Sequence, residues 1–372
     1  MASQRSPTII IDNGSGFVKA GFSGDKQFPT VTLPCGDVLV GQFVLDVEQE
    51  GKLPTVNVDC LKEMWKDSIN KLKADSTEHN FVLTENVFYD EKQRKAMAEV
   101  IFEEFEAPGL YIDHESSLSL MWYRKTTGVV VDCGELMTSV VVYYNGRRVN
   151  DNVLNFGGRD VTLKLLSSLE KNGYEQLNLQ NHGHRMEIRK IKNQYGRVST
   201  HYEREMHLAG KSEPISAPCR LVPQKVLLMR NEPFSCSEGL FHPHHFDKRP
   251  RGIHHAVCRA IESQPTEKQA ALYESILLCG GTTLLKSFSE RLSTEIKNVM
   301  KVNTPVKVIA TKGREHSVWL GANELMSKEG YTSQLMVNKS NYRESGERIL
   351  RRKQDIASFL YFSNRMSCLD VV

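Results

Sequence analysis

The first residues that could carry out chemistry lie in the stretch Thr8–Phe22, where an apolar run leads into small polar residues. Three isoleucines, Ile9–Ile11, are β-branched and suit a strand that is buried on both faces. The next five residues, Asp-Asn-Gly-Ser-Gly from Asp12 to Gly16, are turn formers, and an apolar run resumes at Phe17. The pattern therefore predicts a β-hairpin whose second strand runs antiparallel to the first.

This hairpin has groups that suit a phosphate. Its turn exposes several backbone N–H groups, with the hydroxyl of Ser15 and the ammonium of Lys19 beside them. Asp12 would repel a bare phosphate, but it fits a site in which a hydrated Mg²⁺ lies between carboxylate and phosphate. The alternative is a plain Asn-Gly hairpin without a ligand.

The same pattern occurs a second time in the chain. The apolar run Gly128–Val131 ends in Asp132-Cys133-Gly134, and a second strand-like run follows at Ser139–Tyr144. A third glycine turn, at Gly280 and Gly281, follows an apolar run and leads into a helical pattern, as expected where backbone lies close to a ligand. Each motif is weak alone, but their order and spacing together indicate a nucleotide site built from two related halves.

Further motifs resemble those of actins and actin-related proteins, within a superfamily that includes sugar kinases and chaperone ATPases. The resemblance covers Asp12–Gly16, Lys19–Asp25, Leu83–Glu85, Arg124–Gly128, Gly158–Asp160, Gly280–Thr283, Ser317–Gly321 and Glu344–Gly346 with Arg352-Lys353. It implies an α/β, two-lobed actin-like ATPase fold with duplicated ribonuclease-H-like domains and four subdomains. The segments between these motifs diverge, so the chain resembles a divergent actin-related protein more than a conventional actin.

The resemblance also implies where the lobes lie. The first lobe is expected from 1–122 plus 317–372, with a small subdomain at about 32–56, and the second from 123–316, with subdomain 4 at about 158–248. The reason is that Arg124–Thr127 and the return at Ser317 match the family's crossings between lobes. The small subdomain is expected to be shortened, because the mobile arm of actin is nearly absent between Val31 and Leu39.

By the same resemblance, the expected cofactor is ATP or ADP with Mg²⁺. Asp12 and Asp132 are expected to hold the metal ion through waters. The residues expected to bind the cofactor are Asp12, Gly14, Ser15, Gly16, Lys19, Asp132, Gly134, Gly158, Arg189, Lys192, Gly280, Gly281 and Thr282.

Several positions depart from the family pattern. The glutamine and histidine that position the attacking water in actin correspond to Glu115 and Ser139. The second hairpin continues with Glu135 and Leu136 where the family has Asp-Gly, and the family's lysine before Tyr-Ser-Val-Trp is Glu315, followed by His316. The glutamate that follows Lys192 in the family is Asn193. Carboxylates near a polyphosphate oppose its binding, so no catalytic residue is assigned.

These changes leave two functional hypotheses. The favoured one is a non-enzymatic actin-like subunit that binds nucleotide with little or no hydrolysis. The alternative is an active ATPase or phosphotransferase in which Glu115 serves as general base.

The missing arm predicts that the protein does not form its own filament, since head-to-tail polymers need a repeated heterologous contact. We expect protein partners in a multi-subunit, cytoskeletal complex in the cytoplasm. A chromatin-remodelling complex, and hence the nucleus, is the alternative. The C-terminal segment 354–372 is too apolar for a free end in water, so we expect it to pack on the chain itself or on a partner.

Composition agrees with a soluble protein of two domains. The chain has 372 residues, 40% hydrophobic content and a net charge of +3, which favours neither direct nucleic-acid binding nor a membrane surface. Eight scattered cysteines fit reduced thiols in an intracellular compartment. Residues 1–7 lack the apolar core of a signal peptide, and no stretch approaches a membrane-spanning length.

The remaining periodicities predict individual elements. Helices are expected at 59–72, from Asp90 to about Phe105, at 185–202 and at 288–296, strands at 81–84 and 306–309, and a surface loop at 207–225. The basic face of the helix at 185–202 is typical of a solvated surface. Two metal sites are conceivable but disfavoured, one at Asp113–Glu115 and a zinc site among His242, His244, His245, His254 and His255, where a surface segment is the better interpretation.

Overall fold

The computed structural model describes residues 7–25, 28–35, 45–46, 55–178, 180–248, 251–300 and 305–369. Contacts within the chain divide it into two compact units. Unit 1 comprises Met1–Val130, Val141–Asp151 and Gly313–Val372, and unit 2 comprises Val131–Val140 and Asn152–Lys312. Such units are defined by contacts, so they need not coincide with the family's lobes, whose boundaries stay a prediction.

The chain begins with strands that form the five-stranded sheet of unit 1. These are β1 (Ile9–Asn13), β2 (Phe17–Phe22), β3 (Val31–Pro34), β6 (Phe81–Glu85) and β7 (Leu110–His114), in the order β3-β2-β1-β6-β7, while β4 (Leu45–Asp46) and β5 (Thr55–Val56) pair with each other. β1 and β2 are antiparallel, which confirms the predicted hairpin, and β1, β6 and β7 are parallel. All residues of β1 are buried. The predicted shortening of the small subdomain falls mostly on 36–44 and 47–54, outside the described residues.

Three helices accompany these strands. They are α1 (Val58–Leu72), α2 (Glu91–Glu99) and α3 (Glu115–Trp122). The side chain of Asn57 accepts a hydrogen bond from the Cys60 N–H at the start of α1, and Asp90 forms a capping box with Gln93 at the start of α2. A π-helical turn, Val100–Glu104, extends α2, so the helical segment stops one residue short of the predicted Phe105.

The second sheet begins with β8 (Gly128–Cys133), β9 (Thr138–Tyr144) and β10 (Arg147–Leu154), which are followed by α4 (Gly158–Lys171), α5 (His182–Tyr195) and α6 (Tyr202–Ala209). The single helix expected at 185–202 is wrong beyond Tyr195. Gly196 ends α5, and the N–H groups of Arg197 and Val198 bond to the carbonyls of Pro233 and Lys286 instead of continuing the helix.

The rest of unit 2 contains β11 (Ile215–Pro218), β12 (Val226–Met229), α7 (Glu232–Ser235), α8 (Ile253–Glu262), α9 (Thr266–Tyr273), β13 (Ile276–Cys279), α10 (Phe288–Met300) and β14 (Val308–Ile309). The second sheet has the order β10-β9-β8-β13-β14. The surface loop expected at 207–225 is wrong in part, since α6 extends to Ala209 and β11 pairs with β12. The strand expected at 306–309 is limited to Val308–Ile309.

Unit 1 closes with α11 (Ser317–Met326), α12 (Tyr331–Leu335), α13 (Lys339–Ser345) and α14 (Glu347–Leu369). Leu350, Ala357, Tyr361 and Phe362 of α14 are buried. Tyr361 Oη lies 2.9 Å from the carbonyl oxygen of Met121, within the same unit. The apolar C-terminal segment therefore packs on its own unit as far as Phe362. Among the described residues, none of the helices combines the length and the apolar character needed to cross a membrane.

Candidate functional site

The hairpin of unit 1 brings Asp12 and Lys19 together. The two residues are cross-strand partners on β1 and β2, and Lys19 Nζ lies 2.8 Å from Asp12 Oδ2. Asp12 is 2% exposed. A carboxylate and an ammonium thus lie side by side next to the turn at 14–16, the place where the sequence predicts Mg²⁺ and phosphate.

The neighbouring strand β6 holds this hairpin in position. The hydroxyl of Thr84 accepts a hydrogen bond from the backbone N–H of Asn13 at 2.8 Å and lies 3.3 Å from Asp12 Oδ1. The indole N–H of Trp65 donates to Asn13 Oδ1 at 2.8 Å. These positioning residues were not predicted as part of the site, although the resemblance includes Leu83–Glu85.

The turn itself leaves no room for side chains at its start. A Cβ atom on Gly14 would lie 2.6 Å from the carbonyl oxygen of Phe17. The backbone N–H of Cys35 donates to the carbonyl of Gly16 at 3.1 Å, which ties the turn to β3. A tight, backbone-lined turn beside a lysine and an aspartate fits a phosphate with a hydrated magnesium ion.

Glu115, at the start of α3, accepts a hydrogen bond from Asn86 Nδ2 at 2.7 Å. The other amide atom, Asn86 Oδ1, is buried without a hydrogen-bond partner among the described residues. Burial raises the pKa of Tyr89 well above its ordinary value, and the charges of Glu115 and Glu85 raise it further. Glu115 therefore belongs to an acidic, partly buried environment in unit 1.

Glu315 and His316 precede α11 in the same unit. The His316 ring lies edge-on to Phe28, with ring centroids 5.2 Å apart. Burial lowers the pKa of His316, the charge of Lys19 lowers it further, and the charges of Glu315 and Asp12 oppose this. His316 thus favours the neutral form near the Asp12–Lys19 pair. It follows Glu315, the residue that stands where the family has lysine.

In unit 2, Asp132 lies against the glycine turn that follows β13. A Cβ atom on Gly280 would lie 2.4 Å from Asp132 Oδ1 and 2.4 Å from the carbonyl oxygen of Cys133, and the φ of Gly280 is +80°. Only glycine fits this combination of a left-handed backbone and a close approach. The second hairpin and the Gly280–Gly281 turn are therefore in contact.

The loop after Asp132 is held by α4 and by Thr282. The carbonyl of Gly134 accepts hydrogen bonds from the Gly158 N–H at 2.9 Å and from the Thr282 hydroxyl at 2.7 Å. The carbonyl of Glu135 accepts from the Arg159 N–H at 2.8 Å. The first amides of α4, which elsewhere serve as anion donors, are thus occupied by the hairpin's own carbonyls.

Arg189 and Lys192 of α5 are buried, at 9% and 3% exposure. The interpretation of this face as solvated is therefore wrong for these two residues. Lys192 Nζ donates to the carbonyl of Gly158 at 2.9 Å, and Arg189 Nη2 lies 3.4 Å from Glu135 Oε2. Burial lowers the pKa of Lys192, and the charge of Glu135 opposes that effect.

A comparison with protein families gives a match to the actin model over residues 52–355. The chain belongs to the actin family. It is 29% identical over 371 residues to centractin of Schizosaccharomyces pombe, a match that covers 93% of this chain and 97% of the relative.

The actin-family fold therefore contains two sets of predicted site residues. Unit 1 brings Asp12, Lys19 and the turn at 14–16 together, and unit 2 brings Asp132, Gly134, Gly158, Lys192, Gly280 and Thr282 together. Ser139, which replaces the water-positioning histidine, is buried in β9, at 5% exposure. Asn193, which follows Lys192, is exposed.

The residues 113–115 of this actin-family chain face different partners. Asp113 Oδ2 accepts from the Tyr111 hydroxyl at 2.6 Å, His114 Nδ1 lies 3.4 Å from Glu85 Oε1, and Glu115 pairs with Asn86. The side chains do not converge on one point.

The histidine-rich segment is only partly a surface. His242 Nδ1 lies 2.7 Å from Glu238 Oε1, whereas His254 is 3% exposed on α8 and stacks on Phe241 with ring centroids 6.0 Å apart. The expectation of a surface segment is therefore wrong for His254. Within the described part of the chain, no three His, Cys, Asp or Glu side chains have a geometry that could hold a metal ion.

Proposed function

We propose that this actin-related protein binds an adenine nucleotide with Mg²⁺, hydrolyses it little or not at all, and serves as a structural subunit of a larger protein assembly. The observation that carries the proposal is the contrast between the two hairpins. The hairpin of unit 1 keeps the tight turn, the carboxylate and the ammonium, whereas the hairpin of unit 2 has the buried side chain of Leu136 where the family has glycine.

Support for nucleotide binding comes from the glycine contacts. Gly14 and Gly280 are positions where a single Cβ atom would collide with backbone, so both turns need glycine, the residue that is expected where backbone approaches a phosphate. Asp12 is the residue of unit 1 that would hold a magnesium ion through its waters. The ion would supply charge neutralisation for the phosphates.

Support for slow hydrolysis comes from the replaced residues. An actin-like hydrolysis needs a group that orients the attacking water. Glu115 is held by Asn86, and Ser139 is buried in β9 with a hydroxyl that is too short and too weakly basic to replace an imidazole. We therefore propose that the nucleotide is a structural cofactor.

The alternative, an ATPase or phosphotransferase with Glu115 as general base, makes a different prediction for steady-state phosphate release. Purified protein with Mg-ATP should release phosphate at no more than the background rate, and Glu115→Gln should leave that rate unchanged. Sustained release that Glu115→Gln abolishes would favour the enzyme.

The assembly role is supported by the relative and by the C-terminal helix. A full-length similarity to centractin favours a cytoskeletal setting in the cytoplasm over a chromatin-remodelling complex in the nucleus. The helix α14 covers part of unit 1 with Tyr361 and Phe362, while Phe359 on its outer side is 69% exposed and could contact a protein partner.

We propose no direct nucleic-acid or membrane partner, and no homopolymer. A tagged chain purified from its native cell should recover one copy within a stable complex, and recovery of the chain alone or as a polymer would contradict this.

A further inference from the structure

The C-terminal part of α14 fills a recess on unit 1. The ring of Phe362 packs on Gly146, in the turn between β9 and β10, where a Cβ atom would lie 2.4 Å from Phe362 Cδ2. The hydroxyl oxygen of Tyr361 lies 2.9 Å from the carbonyl oxygen of Met121 and 2.8 Å from Glu324 Oε1. These contacts place Tyr361 and Phe362 against α3, α11 and the turn between β9 and β10.

Phe359 lies beside this anchor but faces solvent. It precedes Phe362 by three positions on α14, so the two side chains are neighbours on the helix surface. Phe362 is 3% exposed, whereas Phe359 is 69% exposed. A single exposed apolar side chain is common on protein surfaces, so its surroundings decide whether it marks an interface.

The surroundings of Phe359 are basic. Four exposed cationic side chains lie next to the filled recess and are called the cationic rim below: Arg124, Lys125, Arg147 and Arg148. Arg147 and Arg148 directly follow Gly146 in the chain. The Gly146 N–H donates to the carbonyl oxygen of Thr126 at 2.7 Å, which brings the Arg124-Lys125 stretch to the same turn.

Only part of this positive charge is paired. Arg124 Nε lies 3.8 Å from Glu324 Oε1, the atom that contacts Tyr361, and Arg148 Nη1 lies 3.6 Å from Asp151 Oδ2. Within the part of the chain that the structure describes, neither Lys125 nor Arg147 forms an ion pair. The rim therefore has two cations that are available to a partner.

We propose that Phe359 and the cationic rim form a docking surface for an acidic segment of a partner protein, one that also carries an apolar side chain. The inference rests on the proposed role as a subunit of an assembly, and it names the chemistry of the partner segment. The apolar side chain packs on the Phe359 ring, while carboxylates beside it meet Lys125 and Arg147. Burial of a large aromatic ring supplies affinity, and the charges steer and orient the partner.

A polypeptide fits this surface better than a membrane or a nucleic acid, because carboxylates interrupt the cations. Glu324 and Asp151 lie within the rim, and the exposed Asp355 precedes Phe359 by one helical turn. A phosphate-covered surface would meet these carboxylates as well as the cations. A polypeptide can place its acidic residues opposite Lys125 and neutral ones opposite Asp355.

Fluorescence anisotropy of the purified full chain with a labelled synthetic peptide tests the surface. The peptide is an acidic amphipathic helix of about sixteen residues, built from Glu, Ala and Leu with the leucines at helical spacing. The variants are Phe359→Ala and the double variant Lys125→Gln with Arg147→Gln. We expect wild type to bind the peptide and each variant to bind it about tenfold more weakly.

Two further variants make the test specific. Lys190→Gln removes a cation of α5 in unit 2, whose side chain is 74% exposed, and it should keep the wild-type affinity. Asp355→Asn should bind the acidic peptide more tightly, because it removes a carboxylate beside Phe359. High salt should weaken binding to wild type, and a peptide with Gln in place of every Glu should bind about tenfold more weakly.

The inference is wrong if folded wild type does not bind the acidic peptide, or if wild type and the Phe359 and rim variants bind it equally. Tighter binding to phosphatidylserine vesicles than to the peptide would also overturn it and would assign the surface to a membrane. Thermal unfolding of each variant verifies that it is folded.

Recovery from the native cell separates this inference from the proposed function. If Phe359→Ala and the double variant enter the native complex as well as wild type does, the docking surface is wrong and the proposed function stands. If wild type itself is recovered alone, the assembly role is wrong, and the peptide measurement still decides about the surface.

Discussion

Arg94 donates two hydrogen bonds to the carboxylate of Glu85, from Nε to Oε2 at 2.7 Å and from Nη2 to Oε1 at 2.6 Å. Their side chains are 4% and 0% exposed. Arg94 also pairs with Glu347 of α14, and Gln354 Nε2 donates to Glu85 Oε1 at 2.7 Å. A buried cation of α2 thus connects the terminal helix with β6, the strand whose Thr84 supports the Asp12 hairpin.

Replacing this cation should be strongly destabilising. Arg94→Met leaves Glu85 and Glu347 without a buried positive partner, and we expect the free energy of unfolding in urea to fall by about 3–5 kcal/mol. Lys95→Met, on the same helix, removes only an exposed pair with Glu99 and should stay within about 0.5 kcal/mol of wild type. Equal effects of the two variants would contradict the role of the buried cluster.

Asp113 and His114 give opposite pH dependences of stability. Burial raises the pKa of Asp113 from 3.8 to about 7, and burial lowers the pKa of His114 from 6.5 to about 4. Between pH 3.8 and about 7 the folded state holds a proton on Asp113 that the unfolded state lacks, so the contribution of Asp113 to the free energy of unfolding falls as the pH rises. Between pH of about 4 and 6.5 the unfolded state holds a proton on His114 that the folded state lacks, so the contribution of His114 rises with pH.

The contributions of Asp113 and His114 to the pH dependence of stability should offset each other in wild type, and replacing either residue should reveal the contribution of the other. Relative to wild type, Asp113→Asn should become more stable as the pH rises from about 4.5 to 7, because the falling term is removed. His114→Gln should become less stable over the same interval. Urea unfolding at several pH values measures both slopes, and pH profiles parallel to that of wild type would show that neither group has a shifted pKa.

The stability of the C-terminal part of α14 should depend on Phe362 and not on Phe359. The Phe362 ring packs against Gly146, where a Cβ atom would lie 2.4 Å from Phe362 Cδ2, whereas Phe359 is 69% exposed. Phe362→Ala should weaken this packing by about 3 kcal/mol and speed amide hydrogen exchange in α14. Phe359→Ala is the matched control and should exchange like wild type. Equal exchange in both variants would mean that Phe362 does not anchor the helix.

Asp12 should be required for the magnesium-dependent part of nucleotide binding. At an ADP concentration about one hundred times the dissociation constant, Mg-ADP should stabilise wild type by about 2.7 kcal/mol. In Asp12→Ala, the stabilisation by ADP should be the same with Mg²⁺ as with EDTA. The control Glu63→Gln, which removes one partner of the exposed Glu63–Lys66 pair on α1, should keep the larger stabilisation with Mg²⁺. Thermal unfolding in the presence of ADP measures this stabilisation. If Mg²⁺ increases it as much in Asp12→Ala as in wild type, Asp12 is not the group that holds the ion's waters.

Local sequence patterns predicted the parts of the fold that depend on neighbouring residues. The hairpin at 9–22 follows from apolar runs on either side of turn formers, and the start of α2 follows from Asp90. The end of α5 was missed because the periodicity of Val198 and Tyr202 continues beyond Gly196. Contacts distant in sequence, to the carbonyls of Pro233 and Lys286, decide where that helix stops.

The residues of the candidate site that lie in local motifs could likewise be predicted, whereas their contacts with distant elements could not. The local motifs pointed to Asp12, Asp132 and the glycine turns, the resemblance assigned them to a nucleotide with Mg²⁺, and the structure brings each set together within its own unit. The burial of Arg189 and Lys192 and the pairing of Glu135 with Arg189 could not be read from the sequence, because the basic residues of α5 are indistinguishable from a solvated face until α4 and the hairpin at 132–138 are placed beside them.

We propose that this actin-family chain acts as a fixed subunit and does not polymerise. High-speed sedimentation of the purified full-length chain, with Mg-ATP and salt, tests it most directly. Head-to-tail polymerisation needs a heterologous contact repeated along the strand, and the arm that supplies it in actin is nearly absent from the sequence between Val31 and Leu39. We therefore predict that the chain stays in the supernatant at concentrations at which a conventional actin control pellets. Polymer of this chain in the pellet, reversible on removal of salt, would contradict the account.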